Sequence, residues 1–172
     1  MQKFFETERL ILRPTNETDA PFVLELFNSP KWLEYIGDRN VNSLEDAKSY
    51  IENKIMSQYD KLGYGNYTVI RKKDNVTLGS CGLYDREGLE GVDLGFAFLP
   101  EYEGKGYAYE AATKVKQIAF EEFKLKELSA ITLEINTSSR KLLERLEFSL
   151  KGTIRIPNDD EELLLYKLTF DR

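Results

Sequence analysis

The sequence contains no histidine and one cysteine, Cys81. The missing histidine removes a common zinc ligand and every Ser-His or Cys-His nucleophilic pair, so hydrolysis through such pairs is excluded. A lone thiol forms neither an intramolecular disulfide nor a cysteine-clustered metal site, and no metal site is expected. Acid and base work falls to carboxylates, tyrosines, hydroxyls or water. Long apolar runs are missing too, and none approaches the ~20 residues a membrane helix needs. The opening Met-Gln-Lys-Phe-Phe-Glu-Thr-Glu-Arg puts charges where a signal peptide needs an apolar core, so a cytoplasmic protein without a membrane partner is expected. No repeat, low-complexity tract or Pro/Gly/Ser linker divides the 172 residues, which read as one domain, 1–172, able to bury its own core. Positive charge is short: 24 Lys and Arg face 30 Asp and Glu, a net charge of -6. That balance argues against a nucleic-acid partner and favours a cationic or amine substrate.

What is present is best seen in Leu99-Pro-Glu-Tyr-Glu-Gly-Lys-Gly-Tyr-Ala-Tyr-Glu-Ala-Ala112. An apolar strand runs into a two-glycine turn that opens an amphipathic helix. Gly104 and Gly106 leave the backbone accessible, and the first amides of the helix lack intrahelical acceptors, so the turn suits an anion such as a pyrophosphate. A P-loop is excluded, because Gly106 stands where Ser or Thr is needed and Leu99 where an earlier glycine is needed. A Rossmann fingerprint would require a third glycine at Tyr109. A tight turn with no ligand stays open as the plainer reading.

The remaining pattern predicts an α+β chain. Leu10–Pro14 reads as a strand, Asn16-Glu-Thr-Asp19 as the cap of a helix through Phe27, and Pro30 as the start of a short helix carrying Trp32 and Tyr35. Ser43-Leu-Glu-Asp46 caps a helix with Ala47, Tyr50, Ile51, Ile55 and Met56 on one face, ended by Gly63 and Gly65. Strands over 66–71, 77–84 and 92–99 follow with short polar turns, which implies antiparallel neighbours. In the last of these, Val92, Leu94, Phe96 and Phe98 share one face and Asp93, Gly95 and Ala97 the other. The glycine helix then crosses over to a strand, 128–136, with Ile131, Leu133 and Ile135 inward and Asn136 at its end. A helix bearing Leu142, Leu143 and Leu146 and strands over 148–156 and 163–170 complete the chain. The two strands joined by the glycine helix are expected to lie parallel.

A strand, a Gly-x-Gly helix, a second strand ending in Asn136, a hydroxyl at Ser139 and the helix Leu142-Leu-Glu-Arg-Leu-Glu-Phe148 follow in that order. This succession resembles the GNAT superfamily of acyl-CoA-dependent N-acetyltransferases. Thr7-Glu-Arg-Leu-Ile-Leu-Arg-Pro14 and Gly79-Ser-Cys-Gly-Leu83 are similar to the branch containing ribosomal-protein alanine acetyltransferases. The resemblance implies a mixed, mostly antiparallel central sheet flanked by helices, with two parallel strands splayed apart. Two departures stand out. Glu101 occupies a place where the family commonly has Gln or Arg, and Glu147-Phe148 replaces the usual Gly-Phe, which withholds a glycine where its backbone freedom is expected.

Carried over residue by residue, the resemblance implies that the backbone of Phe98 and Leu99 binds a pantetheine arm and polarises a thioester carbonyl. Glu103, Gly104, Lys105, Gly106, Tyr107 and Ala108 would surround the pyrophosphate of acetyl-CoA, and Asn136 would hold the arm from the opposite strand. Acetyl passes directly to a primary amine, a protein N-terminus or a small molecule, with CoA as product. Many relatives protonate the departing thiolate with a tyrosine at the position of Leu143; the ribosomal branch has a serine matching Ser139. Ser139 is therefore the candidate acid, with helix capping as its competing role. Asp93 matches the branch's glutamate near the substrate amine, and strand alternation offers the competing reading of a solvent-facing residue. Trp32 and Tyr35 are candidates for the acceptor pocket or plain packing aromatics. Cys81 reads as a small core residue, and Asn158-Asp-Asp-Glu-Glu162 as a solvated acidic turn. An acyl-CoA-binding sensor without turnover, a homodimer and an acyl group longer than acetyl stay open.

Overall fold

The computed structural model describes residues 3–157 and 159–170. Eight strands form one sheet: β1 (Phe5–Glu6), β2 (Leu10–Pro14), β3 (Asn66–Arg71), β4 (Val76–Tyr84), β5 (Asp93–Phe98), β6 (Glu127–Thr132), β7 (Ser149–Ile154) and β8 (Leu163–Thr169). Their spatial order is β1-β2-β3-β4-β5-β6-β8-β7. Every neighbouring pair is antiparallel except β5 and β6, which are parallel. This is the crossover expected around the glycine helix. Asn158, first residue of the acidic turn, lies outside the described residues.

Helices α1 (Ala20–Phe27), α2 (Pro30–Tyr35), α3 (Leu44–Tyr50) and α4 (Ser57–Leu62) lie between β2 and β3; α5 (Tyr107–Glu121) joins β5 to β6, and α6 (Thr137–Arg145) joins β6 to β7. Local chemistry sets their ends. Asn16 and Asp19 form a reciprocal capping box ahead of α1, Ser43 Oγ accepts from the Asp46 amide, and Gly63 closes α4 in the left-handed conformation. Between α3 and α4, Ile51–Met56 is a π-helical segment. It keeps Ile51 and Ile55 buried while shifting the phase of the helix.

The core is split by the sheet. On one side Ala111, Ala112, Val115, Ile118 and Ala119 of α5 pack with Leu12, Val69, Leu83, Leu94 and Phe98 and, farther along, with Leu128, Ala130, Leu143, Leu146 and Tyr166. On the other, α1 and α3 enclose a smaller cluster of Ala20, Val23, Leu26, Phe27, Ala47 and Ile51, which Leu99 joins. The sheet beneath that second cluster is polar, with Asn66, Thr68, Ser80 and Asp93 all buried. A chain of hydrogen bonds connects this floor. Arg13 holds Asp19 bidentately at 2.7 and 2.9 Å, Thr68 donates to Asp19 at 3.0 Å, Thr15 and Thr68 share a bond of 2.8 Å, and Asn66 donates to Thr15 at 2.7 Å. Tyr84 donates to Asn66 and completes the chain. Buried polar groups satisfied in this way fix the register of strands they connect.

The strand expected over 128–136 needs correction. β6 ends at Thr132, and the chain then turns, the Asn136 amide donating to the Leu133 carbonyl at 3.0 Å. Leu128, Ser129 and Ala130 are all buried, whereas Ile135 is 67% exposed. The inward set Ile131, Leu133 and Ile135 is therefore wrong. Both faces of this central strand are covered, so alternation carries no sign there. The missing glycine at residue 147 is resolved differently: Glu147 itself adopts the left-handed backbone, with φ 76°. No described helix is long and apolar enough to cross a membrane.

Candidate active site

β5 supplies the frame. Its partner β4 fixes which backbone groups are free, because the Leu99 amide donates to the Leu78 carbonyl at 3.0 Å and antiparallel bonding alternates from there. The main-chain groups of Val92, Leu94, Phe96 and Phe98 thus point away from β4, toward β6. The Val92 carbonyl accepts from the Ser129 amide at 2.8 Å. The parallel register holds only at Asp93 opposite Ser129. Among the described residues no further pairing between β5 and β6 follows that rung, so the inner edge of β5 at Phe96 and Phe98 faces a gap between the two strands.

The free end of the gap meets the glycine turn. Gly104 and Gly106 have φ of 76° and 83°, left-handed values that glycine adopts without a Cβ penalty. Among the described residues, the amides of residues 104–109 find no backbone or side-chain acceptor, and the first carbonyl of the α5 ladder, that of Gly106, accepts from Glu110. Glu103, Gly104, Lys105 and Gly106 are exposed, Tyr107 is buried and Ala108 half-buried. Successive unpaired amides at a helix start make a nest for a polyanionic ester, and the unpaired β5 edge leads away from it. A diphosphate with an extended, amide-bearing arm fits that pair of features. The two assignments on the strand differ in quality. Phe98 is available, but the Leu99 amide is committed to Leu78 and its carbonyl accepts from Tyr102 at 3.0 Å. Phe96, not singled out from the sequence, has the parity that Leu99 lacks.

Asp93 sits at the closed end of the gap, about 17 Å from Phe98 at ~3.3 Å per residue. It is 1% exposed, which rules out the solvent-facing reading. Arg86, from the turn after β4, donates to Oδ2 at 2.8 Å, while Oδ1 is buried with no partner among the described residues. Burial raises the carboxyl pKa to about 6, against the opposing pull of the Arg86 charge and hydrogen bond. Tyr84, opposite Asp93 in the β4–β5 register, has its phenol pushed upward, first by burial. Its ring fills the space where a side chain at Gly95 would stand, 2.9 Å from that Cβ position.

Asn136 does not end a strand. It is the N-cap of α6, and its side-chain oxygen accepts from the Ser139 amide at 3.3 Å. The cap role is therefore taken by Asn136, and the half-buried Ser139 is held through its amide. Leu143 is buried in the main core, consistent with its having no proton to give. Trp32 stacks on Phe27 with centroids 4.0 Å apart, and its indole N–H is buried without an acceptor among the described residues. Tyr35 closes the same short helix, half-buried. Lys31 pairs with Glu103 at 2.9 Å, which ties α2 to the glycine turn. Cys81 is buried and its thiol pKa raised by desolvation, so it is a packing residue rather than a nucleophile.

Comparison with known proteins agrees with this geometry. Residues 9–149 match the family model described as an acetyltransferase (GNAT) domain. An uncharacterised N-acetyltransferase of Bacillus subtilis (strain 168), YoaA, is 27% identical over 156 residues, covering 90% of this chain and 88% of its own. Among solved structures, the ribosomal-protein-S5-alanine acetyltransferase from Vibrio fischeri superposes with a TM-score of 0.80 at 20% identity, over 99% of this chain and 98% of that one. The ribosomal L7/L12 alpha-N-protein acetyltransferase, solved in complex with coenzyme A, gives a TM-score of 0.82 at 17% identity, over 98% and 99%. With the open β5–β6 gap, the glycine nest and a family match over most of its length, the chain belongs to the GNAT acetyltransferases.

Proposed function

We propose that the protein transfers the acetyl group of acetyl-CoA directly to a primary amine in a ternary complex and releases CoA. The observation that carries this reading is the continuity of the unpaired β5 edge with the free amides of residues 104–109. Acetyl-CoA supplies an activated thioester. The amides around Gly104, Lys105, Gly106, Tyr107 and Ala108 bind its diphosphate, and the main-chain groups of Phe98 and Phe96 bind and align its arm. An arm laid along this edge directs its sulfur toward Asp93. The amides facing the gap stabilise negative charge on the carbonyl oxygen as the carbon–nitrogen bond forms and the carbon–sulfur bond breaks.

Asp93 Oδ1 is a buried acceptor without a donor among the described residues, and it receives the proton that the amine gives up. Arg86 keeps Oδ2 occupied and so leaves Oδ1 as the reactive oxygen. Ser139, at the start of α6, donates to the departing thiolate. Positioning, charge stabilisation and two proton contacts are enough for this reaction, and histidine is not required. Trp32 and Tyr35, on the helix whose Lys31 pairs with Glu103 of the glycine turn, border the acceptor side. A protein N-terminus or a small amine is the acceptor class. The test is release of free thiol from acetyl-CoA with a panel of N-terminal peptides and small amines. Turnover with any acceptor supports the reading; tight CoA binding with no thiol release identifies a sensor instead.

A further inference from the structure

The segment Thr7-Glu8-Arg9 has no part in the reaction above, yet it reaches the glycine turn from the far edge of the sheet. Glu110, in the first turn of α5, is the anchor. One of its carboxylate oxygens accepts from the Thr7 hydroxyl and from the Arg9 amide at 2.9 Å; the other accepts from Arg9 Nε at 2.7 Å. Arg9 Nη1 donates to the Lys105 carbonyl at 3.1 Å, and the guanidinium carbon lies 4.3 Å from the centroid of the Tyr107 ring. The fork is thus held by an acid, by the turn's own backbone and by an aromatic face. Its remaining nitrogen, Nη2, has no acceptor among the described residues and lies 3.3 Å from the position a Cβ would take on Gly106. It therefore stands beside the first unpaired amides of the nest.

A second arginine approaches the same ring. Arg71, paired with Asp74, donates to the Tyr107 hydroxyl at 3.3 Å. That bond is the main cause of a lowered Tyr107 pKa, with the Arg71, Lys73 and Arg9 charges acting in the same direction. Within the turn itself the place where relatives carry Gln or Arg is Glu101, an exposed acid.

We propose that Arg9 is a coenzyme-binding residue that also positions the turn, its Nη1 fastening the Lys105 carbonyl and its Nη2 contacting the coenzyme's diphosphate. It brings in from β2's leading end the cation that Glu101 does not provide. Gly106 is needed for two reasons, its left-handed backbone and the close approach of this guanidinium. The inference rests on the acetyl-CoA reading and separates from it in the following experiment.

Titration calorimetry with CoA is performed on the full chain, wild type, Arg9→Gln and Arg9→Lys, at low and high sodium chloride, with thermal unfolding of each. Loss of one charge-assisted contact is expected to raise the Kd of Arg9→Gln by about tenfold at low salt, and to make its Kd less dependent on salt than that of wild type. Arg9→Lys keeps the charge but not the fork, so its Kd falls between the two and its salt dependence matches wild type. A Kd and salt dependence unchanged in Arg9→Gln would overturn the proposal. So would a result in which both variants lose stability and affinity equally while the salt dependence stays that of wild type, since that is the behaviour of a purely structural strut. Wild-type protein that fails to bind CoA at millimolar concentration removes the acetyl-CoA reading first; wild-type binding with indifferent variants removes only Arg9's role.

Discussion

Replacing Asp93 by asparagine removes one titrating group from the interior and keeps its shape. The Asp93 carboxyl has a pKa of about 6 in the fold against 3.8 ordinarily, chiefly because burial penalises its charge. A gap of about two pH units corresponds to ~3 kcal/mol. The folded state holds this proton more tightly than the unfolded chain does. The associated stability is therefore fully present below pH 3.8 and is lost as the pH rises through about 6. Urea unfolding of wild type and Asp93→Asn in parallel, from about pH 3.5 to 7.5, cancels the titrations the two proteins share. The wild-type free energy minus that of the variant should fall by ~3 kcal/mol across that window. A constant difference would show that burial does not hold the carboxyl up. A difference that grows with pH would mean that the Arg86 charge outweighs burial and that the carboxylate is stabilised. The same titration should be visible in turnover. The acid limb of kcat/KM is expected near pH 6, following the carboxyl value, and should vanish in Asp93→Asn along with most of kcat.

Gly106→Val forces a branched residue into a left-handed backbone at φ 83° and brings its Cβ to 3.3 Å from Arg9. It should lower stability by about 1–2 kcal/mol and raise the KM for acetyl-CoA; a folded variant with unchanged KM would contradict the placement of the diphosphate. Ser139→Ala leaves the Asn136 cap in place, so stability should change by less than about 0.5 kcal/mol while kcat falls. Normal turnover with a lowered Tm would assign Ser139 to structure alone. Glu147→Gly relieves a non-glycine residue at φ 76° and gives up only a long, exposed contact with Lys116 at 3.7 Å. A net gain of ~0.5 kcal/mol is expected, with strain relief partly offset by glycine's freedom in the unfolded chain. A lower urea midpoint at unchanged m would refute it.

Most strands, the capping residues and the glycine turn are readable because each has a local cause, whereas the two-residue β1 (Phe5–Glu6) is too short to leave a pattern. Asn16 with Asp19, Ser43 with Asp46, and Gly104 with Gly106 act within one turn of chain, and β4 and β5 are joined by a hairpin. Where the cause is distant, the pattern failed. β6 lies in mid-sheet with cover on both faces, so Leu128 through Ala130 are buried together and the apparent inward set drifted into a turn. The solvent-facing alternative for Asp93 fails because alternation does not register that the face it shares with Asn66, Thr68 and Ser80 is buried. Its ion pair was within reach of inference, since the hairpin register brings Arg86 back toward it. Glu147 shows that a required backbone conformation does not always announce itself with glycine. Which of Phe98 and Leu99 faces the gap depends on a single hydrogen bond to Leu78, and no property of either side chain reports it.

The lone rung at Asp93 and Ser129 makes the sheet two leaves, β1 through β5 and β6 through β8, fastened at one point and backed by a shared apolar layer. Widening the space between them breaks no ladder of hydrogen bonds; it requires only that side chains slide beneath α5. A guest lying there would bridge leaves that the polypeptide barely stitches. Thermal resistance should then climb with guest concentration even where no chemistry occurs, and amide exchange should slow most at Phe96 and Phe98, the groups left bare on the inner margin.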